Sequence, residues 1–505
     1  MTVISRPEIH VSGGTVRGRR EEGLAVFRGI PFAQPPVGEQ RFAAPQPALP
    51  WDGVREASAY GPPPPQSSVF GLIPPWEGGG ENEWLTVNVW SPAYGDSPEA
   101  ALPVMVWIYG GAYMAGHTGQ PDYDGAALAA VGVVVVTMNY RVGMEGFAQI
   151  KGAPANRGLL DQVAALEWVR NNIASFGGDP GRVTVFGESA GAGSIAALMA
   201  MPRAAGLFRR VIAQSVPGTF FSPELADDIA VTCAAELGLR PTLADLSSIE
   251  PTALAAAGDA VAAKMAQYED RWGPVAHTVT PFSPVVDGEI LPTDPWQAIA
   301  AGSARDIDLV VGHNREEYRL FIAQAGQLGQ ITDERATTVL RGLAPGPEVE
   351  AAYRARGYAA GELYERIYSD WLFDMPSLHL AEAHATAGGR SYLYRLNWPA
   401  PAMGGAFGAC HGLDVGLVFG NLSAGLSALL IGEQPPADAV ALSQWMRSAW
   451  TAFATTGTPG WPECDTEQRL TQLIDTEPTV TPYPAETTRR IWADHTFNAL
   501  PLRPS

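Results

Sequence analysis

The sequence predicts an α/β fold, built on a large central, mostly parallel sheet with helices on both faces. Three observations carry that expectation. Short apolar runs rich in β-branched residues alternate with longer helical patterns. Around Ser189 a strand, a sharp turn and a helix follow one another directly. Neither an internal repeat nor a low-complexity linker interrupts the alternation.

The first two strands, Leu24 to Gly29 and Trp84 to Trp90, read as antiparallel strands at one N-terminal edge. The later strands are Pro103 to Tyr109, Gly132 to Asn139, Arg182 to Gly187, Arg210 to Ser215, Asp306 to Gly312 and Ser391 to Asn397. Between Asn156 and Phe176, residues Leu160, Val163, Leu166, Val169 and Ile173 recur at helical spacing, and Gly177-Gly178-Asp179-Pro180 stops the pattern. Gly61 to Gly80, dense in Pro and Gly, and Pro399 to Gly412, dense in Gly and Ala, read as loops. A helical insertion is expected around 222–267 and a C-terminal helical region around 438–456. A chain of 505 residues has room for several small domains. With no linker visible, one domain spanning 1–505 is expected.

Composition excludes several classes of function. With 46% hydrophobic and 17% charged residues, no apolar run is long enough to cross a bilayer, so no membrane association is expected. A formal charge of −20 repels polyanions, which excludes nucleic acid as a partner. Arg6, Pro7 and Glu8 stand where a secretory signal needs a continuous apolar stretch, and a cytoplasmic location is expected. Cys233, Cys410 and Cys464 are odd in number, far apart, and without C-x-x-C or zinc-like His spacing. They read as free thiols, Cys410 directly before His411, and no metal or other cofactor is expected.

The chemistry centres on Gly187-Glu188-Ser189-Ala190-Gly191, which follows the apolar strand Arg182 to Phe186 and precedes the helical pattern Ala192 to Met201. In that context a G-x-S-x-G pentapeptide is a nucleophile elbow: glycines on both sides let strand and helix approach, and a strained serine presents its Oγ. Ser189 opens the following helix, whose N-terminal partial charge favours an oxyanion. A further N–H donor is needed from the loop after an earlier strand, and Gly110-Gly111-Ala112-Tyr113 follows Pro103 to Tyr109. The amides of Gly111, Ala112 and Ala190 are therefore the expected oxyanion donors.

In such folds the partners follow in the order serine, acid, histidine. The strand Asp306 to Gly312 leads into His313-Asn314-Arg315-Glu316-Glu317, which offers two carboxylates at the carboxyl end of the sheet. An ion pair with Arg315 or Arg319 is the competing account for either one. Of the histidines beyond, His379 and His384 sit in a helical stretch and His495 in the tail, whereas His411 lies in a Gly-rich loop able to reach the serine. His411 would take the Ser189 proton as Oγ attacks an ester carbonyl and return it to the departing alcohol, leaving an acyl-serine for water to hydrolyse. Glu188 and Asp414 would tune the field.

Phe27-Arg28-Gly29-Ile30-Pro31-Phe32-Ala33-Gln34-Pro35-Pro36-Val37-Gly38, Leu85-Thr86-Val87-Asn88-Val89-Trp90, Asn156-Arg157-Gly158-Leu159-Leu160-Asp161-Gln162, the Ser189 pentapeptide, Pro284-Val285-Val286-Asp287-Gly288 and His411-Gly412-Leu413-Asp414 are jointly specific. Through them the chain resembles the type-B carboxylesterase family across nearly its whole length. That resemblance implies the α/β-hydrolase fold and a serine carboxylic ester hydrolase. It also selects Glu317 over Glu316 as the acid, with His411 as the base and Gly111, Ala112 and Ala190 as oxyanion donors.

Three departures from the family pattern stand out. Ala112 replaces the third glycine of the oxyanion loop, which keeps the amide. Trp84 stands where secreted members often have a disulfide cysteine, consistent with a reducing compartment. Ala276-His277-Thr278-Val279-Thr280 replaces the bulky aromatic walls of cholinesterase acyl pockets, so a roomier acyl side is expected.

Tyr113, Met114, Glu188, Phe220 and Phe221, with the Gly61 to Gly80 loop, are expected to line a pocket for small to medium apolar esters. The partner is then a small-molecule ester, and the chain a monomer or weak homo-oligomer. A carbamate, amide or thioester hydrolase uses the same chemistry. A catalytically silent binding or adhesion relative is the alternative of another class.

Overall fold

The computed structural model describes residues 6–66, 82–92, 101–346 and 348–504. In chain order the strands are β1 (Glu8–Val11), β2 (Gly14–Arg17), β3 (Arg19–Glu21), β4 (Leu24–Pro31), β5 (Val54–Glu56), β6 (Thr86–Ser91), β7 (Leu102–Ile108), β8 (Val134–Met138), β9 (Gly178–Glu188), β10 (Arg210–Gln214), β11 (Asp308–Asn314), β12 (Ser391–Leu396), β13 (Thr471–Ile474) and β14 (Thr479–Thr481). Among these residues β1, β2 and β5 make a small sheet, and the rest form one sheet in the order β14-β13-β12-β11-β10-β9-β7-β8-β6-β4-β3. The block from β13 to β8 is parallel. Antiparallel strands close both ends.

The central strands are apolar along their length because helices cover both faces. Val104 to Ile108 and Val133 to Val136 are buried throughout. Trp107 packs its ring 4.8 Å from that of Phe186 and 5.0 Å from that of Phe419, joining two strands to a covering helix. From β7 the chain moves to one side for β8 and to the other for β9. The carboxyl ends of β7 and β9 thus flank the point where strand order reverses, the usual crevice of an open α/β sheet.

Helix α1 (Arg157–Asn172) explains why the Asn156 to Gln162 stretch is so specific. Asp161 binds the guanidinium of Arg141 at 2.8 Å through Oδ1, and both side chains are fully buried. Arg157, also fully buried, donates to the carbonyls of Met144, Glu145, Ala148 and Pro154. Asn156, at φ 52°, brackets Val285 with one donated and one accepted bond, each 2.8 Å.

Several boundaries differ from expectation. β9 starts at Gly178 because that residue already pairs with Leu102, so the turn shrinks to Gly177. β11 extends through His313 and Asn314, which pair with Arg395 and Leu396 of β12. β6 begins at Thr86 and is not an edge strand: it lies between β4 and β8, and β3 takes the edge. Helices Pro223–Ala235 and Pro251–Ala262 occupy the 222–267 region, and Ala437–Thr456 the C-terminal one. No helix among the described residues is long and apolar enough to cross a membrane.

Candidate active site

β9 ends in Glu188, and helix α2 (Ala190–Ala200) begins one residue after Ser189. At φ 56° and ψ −125°, Ser189 occupies backbone space that L-residues rarely adopt. Its amide donates to the Gln214 carbonyl at 2.9 Å and its carbonyl accepts from Gly193, so both sides of the bend are fixed. An added Cβ would lie 2.7 Å from the Ile108 carbonyl oxygen at Gly187 and 2.1 Å from it at Gly191. The two glycines of the pentapeptide are therefore demanded by the approach of β7. Ala190 opens α2, and its amide is one of the four with no intrahelical acceptor.

The loop after β7 turns back by placing Gly111 at φ 114° and then Ala112 and Tyr113 at φ 56° and 58°. The Gly111 carbonyl accepts from the amides of Met114 and Ala115, and the Tyr113 carbonyl from that of Gly143 at 2.6 Å. Gly110, Gly111, Ala112, Glu188, Ser189, Ala190 and His411 all line one cavity of about 480 Å³.

Glu317 is fully buried, and its carboxylate has three hydrogen-bond partners. Its Oε1 accepts from Ser215 Oγ at 2.5 Å and from the Asn314 amide at 2.6 Å, while Oε2 lies 2.6 Å from His411 Nδ1. Glu316 turns the other way, pairing with Arg315 at 3.1 Å and accepting from the Ala409 amide at 2.9 Å. His379, His384 and His495 lie elsewhere, His384 against Ser391 and the other two against Phe497.

With Nδ1 committed to Glu317, His411 turns Nε2 toward the Glu188 side, 3.1 Å from Glu188 Oε1, and Nε2 has no hydrogen-bond partner among the described residues. Burial alone would lower the imidazole pKa, but the carboxylates of Glu188 and Glu317 outweigh it and push it up to about 9. Burial raises Glu188 to about 8; the nearby imidazole lowers it only in part, against Asp414 and Glu317. An imidazole held this way can accept a proton at Nε2 and be stabilised once charged. Lining the same cavity as a strained serine and a helix N-terminus, it completes the equipment of acyl transfer.

Some expected lining residues lie elsewhere. Met114 points to a separate small recess beside Val142 and Phe282. Phe220, buried, packs edge-on against Trp296, and Phe221 bonds through its backbone to Pro284 and Val286, so neither reaches the cavity. Both follow β10 away from its carboxyl end, which apolar character alone does not reveal. Tyr113 and Glu188 do line the cavity. Of the Gly61 to Gly80 loop, 67–80 lie outside the described residues, and 61–66 do not line it.

The walls come instead from Thr278 to Thr280, Leu320, Phe321, Leu372, Phe373 and Leu426. Phe373, which the sequence reading missed, sits on a π-helical turn, Asp370–Asp374, that sets its ring 4.3 Å from that of His411. Ser215 was missed as well, being only the end of a strand in the sequence. In the structure it has φ 57° and its hydroxyl on Glu317. Asp414 is buried behind His411, accepting from Gln214 at 2.8 Å and Tyr394 at 3.0 Å.

Cys410 is free and buried, and burial pushes its thiol pKa well up, which leaves it unreactive. Among the described residues no group of three or more His, Cys, Asp or Glu is placed to hold a metal.

The carboxylesterase family model matches residues 5–492. A para-nitrobenzyl esterase of Bacillus subtilis is 38% identical over 482 residues, 92% of this chain and 94% of that one. The medium-chain fatty acyl-CoA hydrolase precursor of Anas platyrhynchos is 31% identical over 93% of this chain and 88% of that one. A solved PNB esterase superposes with a TM-score of 0.84 at 35% identity, covering 96% of this chain and 99% of that one. A Geobacillus stearothermophilus carboxylesterase does so at 0.83 and 34%, covering 96% and 100%. The chain belongs to the carboxylesterase family, takes the α/β-hydrolase fold, and is a serine carboxylic ester hydrolase.

Proposed function

We propose that Ser189 is the nucleophile, His411 the general base and acid, and Glu317 the carboxylate that orients it, with the amides of Gly111, Ala112 and Ala190 as the oxyanion hole. The observation that carries this reading is the buried Glu317 carboxylate, fixed through Oε1 by Ser215 and the Asn314 amide and held 2.6 Å from His411 Nδ1. In the neutral ring, Nδ1–H donates to Glu317 and Nε2 is the acceptor. Ser189 Oγ gives its proton to Nε2 while bonding to the ester carbonyl carbon, and the carbonyl oxygen takes up negative charge facing the three amides. The proton moves from Nε2 to the alkoxide as it leaves. Water then repeats both steps on the acyl-serine.

The substrates are small to medium neutral, apolar esters. A cavity of about 480 Å³ has the size of a small-molecule site, and its walls are largely aliphatic and aromatic. The Thr278 to Thr280 wall supports a roomy acyl side. A thioester reading is favoured by the name of the Anas platyrhynchos relative. Against it, the described lining residues include Glu188 and Asp122 but neither Lys nor Arg, so a polyanionic leaving group finds no counter-charge. We assign the whole chain to one hydrolase unit, monomeric or weakly associating. A cytoplasmic location is supported by three buried free thiols.

The test is turnover of para-nitrophenyl esters, aryl carbamates, anilides and acyl-CoA thioesters, together with mass-spectrometric mapping of a phosphonate label. Ester turnover with the label on Ser189 supports the assignment. A label elsewhere, or faster thioester than ester turnover, contradicts it.

A further inference from the structure

We propose that Gln66 is a positioning residue for the oxyanion loop, acting through the backbone of Gly116. Gln66 is 2% exposed. Its side-chain amide grips the Gly116 peptide at two points: the Gly116 amide donates to Oε1 at 2.7 Å, and Nε2 donates to the Gly116 carbonyl at 3.2 Å. A primary amide meeting a backbone unit in this way mimics one rung of a β-ladder. Two bonds fix orientation as well as distance.

The loop needs such a clamp. Two consecutive non-glycine residues, Ala112 and Tyr113, hold positive φ, an arrangement that persists only where the surroundings over-determine it. At its start the loop is fixed by β7. In its middle the Tyr113 carbonyl is held by the Gly143 amide. Its far end is Gly116, at φ 123°, where an added Cβ would lie 2.3 Å from the Tyr109 ring. No side chain can grow from Gly116 to anchor the loop, so the anchor comes from outside.

The surroundings repeat the device. Asn139 accepts from the Thr118 amide at 2.9 Å and donates to the Pro62 carbonyl at 3.2 Å, and Asn88 donates to Thr118 Oγ1 at 2.9 Å. Pro62 to Gln66 is thereby laced to 116–118. Oxyanion donors act only when aimed within a few tenths of an ångström of the developing charge, so releasing Gly116 degrades transition-state binding while ground-state binding persists.

The proposal rests on Gly111 and Ala112 being oxyanion donors, and the experiment separates the two claims. Gln66→Met keeps length and removes both bonds; Gln66→Glu keeps the acceptor facing the Gly116 amide and loses the donor. For each, kcat and KM per phosphonate-titrated site, the thermal midpoint, and the Ki of a trifluoromethyl ketone that forms a hemiketal oxyanion on the serine are measured. In Gln66→Met, kcat is expected to fall about 10- to 100-fold with KM within about twofold, and the ketone Ki to weaken by the same factor. Gln66→Glu is expected to fall between it and the parent. Tight ketone binding by the parent with unchanged kcat and Ki per titrated site in both variants overturns the role of Gln66 alone. Weak ketone binding by the parent itself overturns the oxyanion reading, and the proposal with it.

Discussion

His411 Nδ1 and Glu317 Oε2 are 2.6 Å apart, and the second oxygen of that carboxylate is already occupied by Ser215 and the Asn314 amide. The carboxylate therefore cannot rotate without breaking two bonds, which fixes the imidazole tautomer. Glu317→Gln is expected to lower kcat by about three to four orders of magnitude with the fold intact, because an amide no longer stabilises the charged imidazole. Ser215→Ala removes one charged hydrogen bond and is expected to cost about 1.5–3 kcal/mol in chemical denaturation. A folded Glu317→Gln enzyme with kcat within about tenfold of the parent, or a Ser215→Ala protein as stable as the parent, would contradict this account.

The His411–Glu188 contact predicts the pH profile. The base works only when neutral, and the pKa of His411 is raised to about 9, so the rising limb of kcat/KM belongs well above the ordinary imidazole value of 6.5. Glu188→Gln removes the carboxylate 3.1 Å from Nε2, which favours the charged ring. The limb should then move to lower pH, by about one to three pH units. Stability carries the same sign: the contribution from charged His411 is complete below pH 6.5 and is lost as pH rises through about 9. Matching profiles for parent and variant would contradict the coupling.

Much of this arrangement was legible in the sequence because it is local. Gly187 and Gly191 bracket Ser189 within five residues, and the approach of Ile108 explains both. Chain order and a Gly-rich loop selected His411 from among the later histidines. Contacts between distant segments were not legible. Ser215 reaches Glu317 across 102 positions, and Phe373 reaches His411 through a π-turn that helical periodicity does not register. Apolar character points Phe220 to the pocket, yet burial against Trp296 uses that character equally well. β13, β14 and the β1-β2-β5 sheet escaped notice because strands of three or four residues carry too little alternation.

Arg141 and Asp161 test the scaffold apart from the chemistry. Both are fully buried, and Asp161 also accepts from the Arg141 amide at 3.0 Å. Asp161→Ala leaves a buried guanidinium without its counter-charge, and a loss of about 3–5 kcal/mol in chemical denaturation is expected. A loss under about 1 kcal/mol would show that water or repacking compensates the charge.

The wall from Thr278 to Thr280 predicts a broad acyl preference. Across para-nitrophenyl esters from acetate to octanoate and benzoate, kcat/KM should rise or hold with acyl size until the cavity is filled. A steep fall beyond acetate would mean that this side is narrow. Thr280→Phe should impose such a fall, read from the same series.

The most direct measurement is the turnover of Ser189→Ala on a para-nitrophenyl ester, corrected for uncatalysed hydrolysis. Loss of the nucleophile should reduce kcat by roughly six orders of magnitude while the melting temperature holds. A folded Ser189→Ala enzyme that keeps even one per cent of parental kcat would mean that a different group attacks the ester.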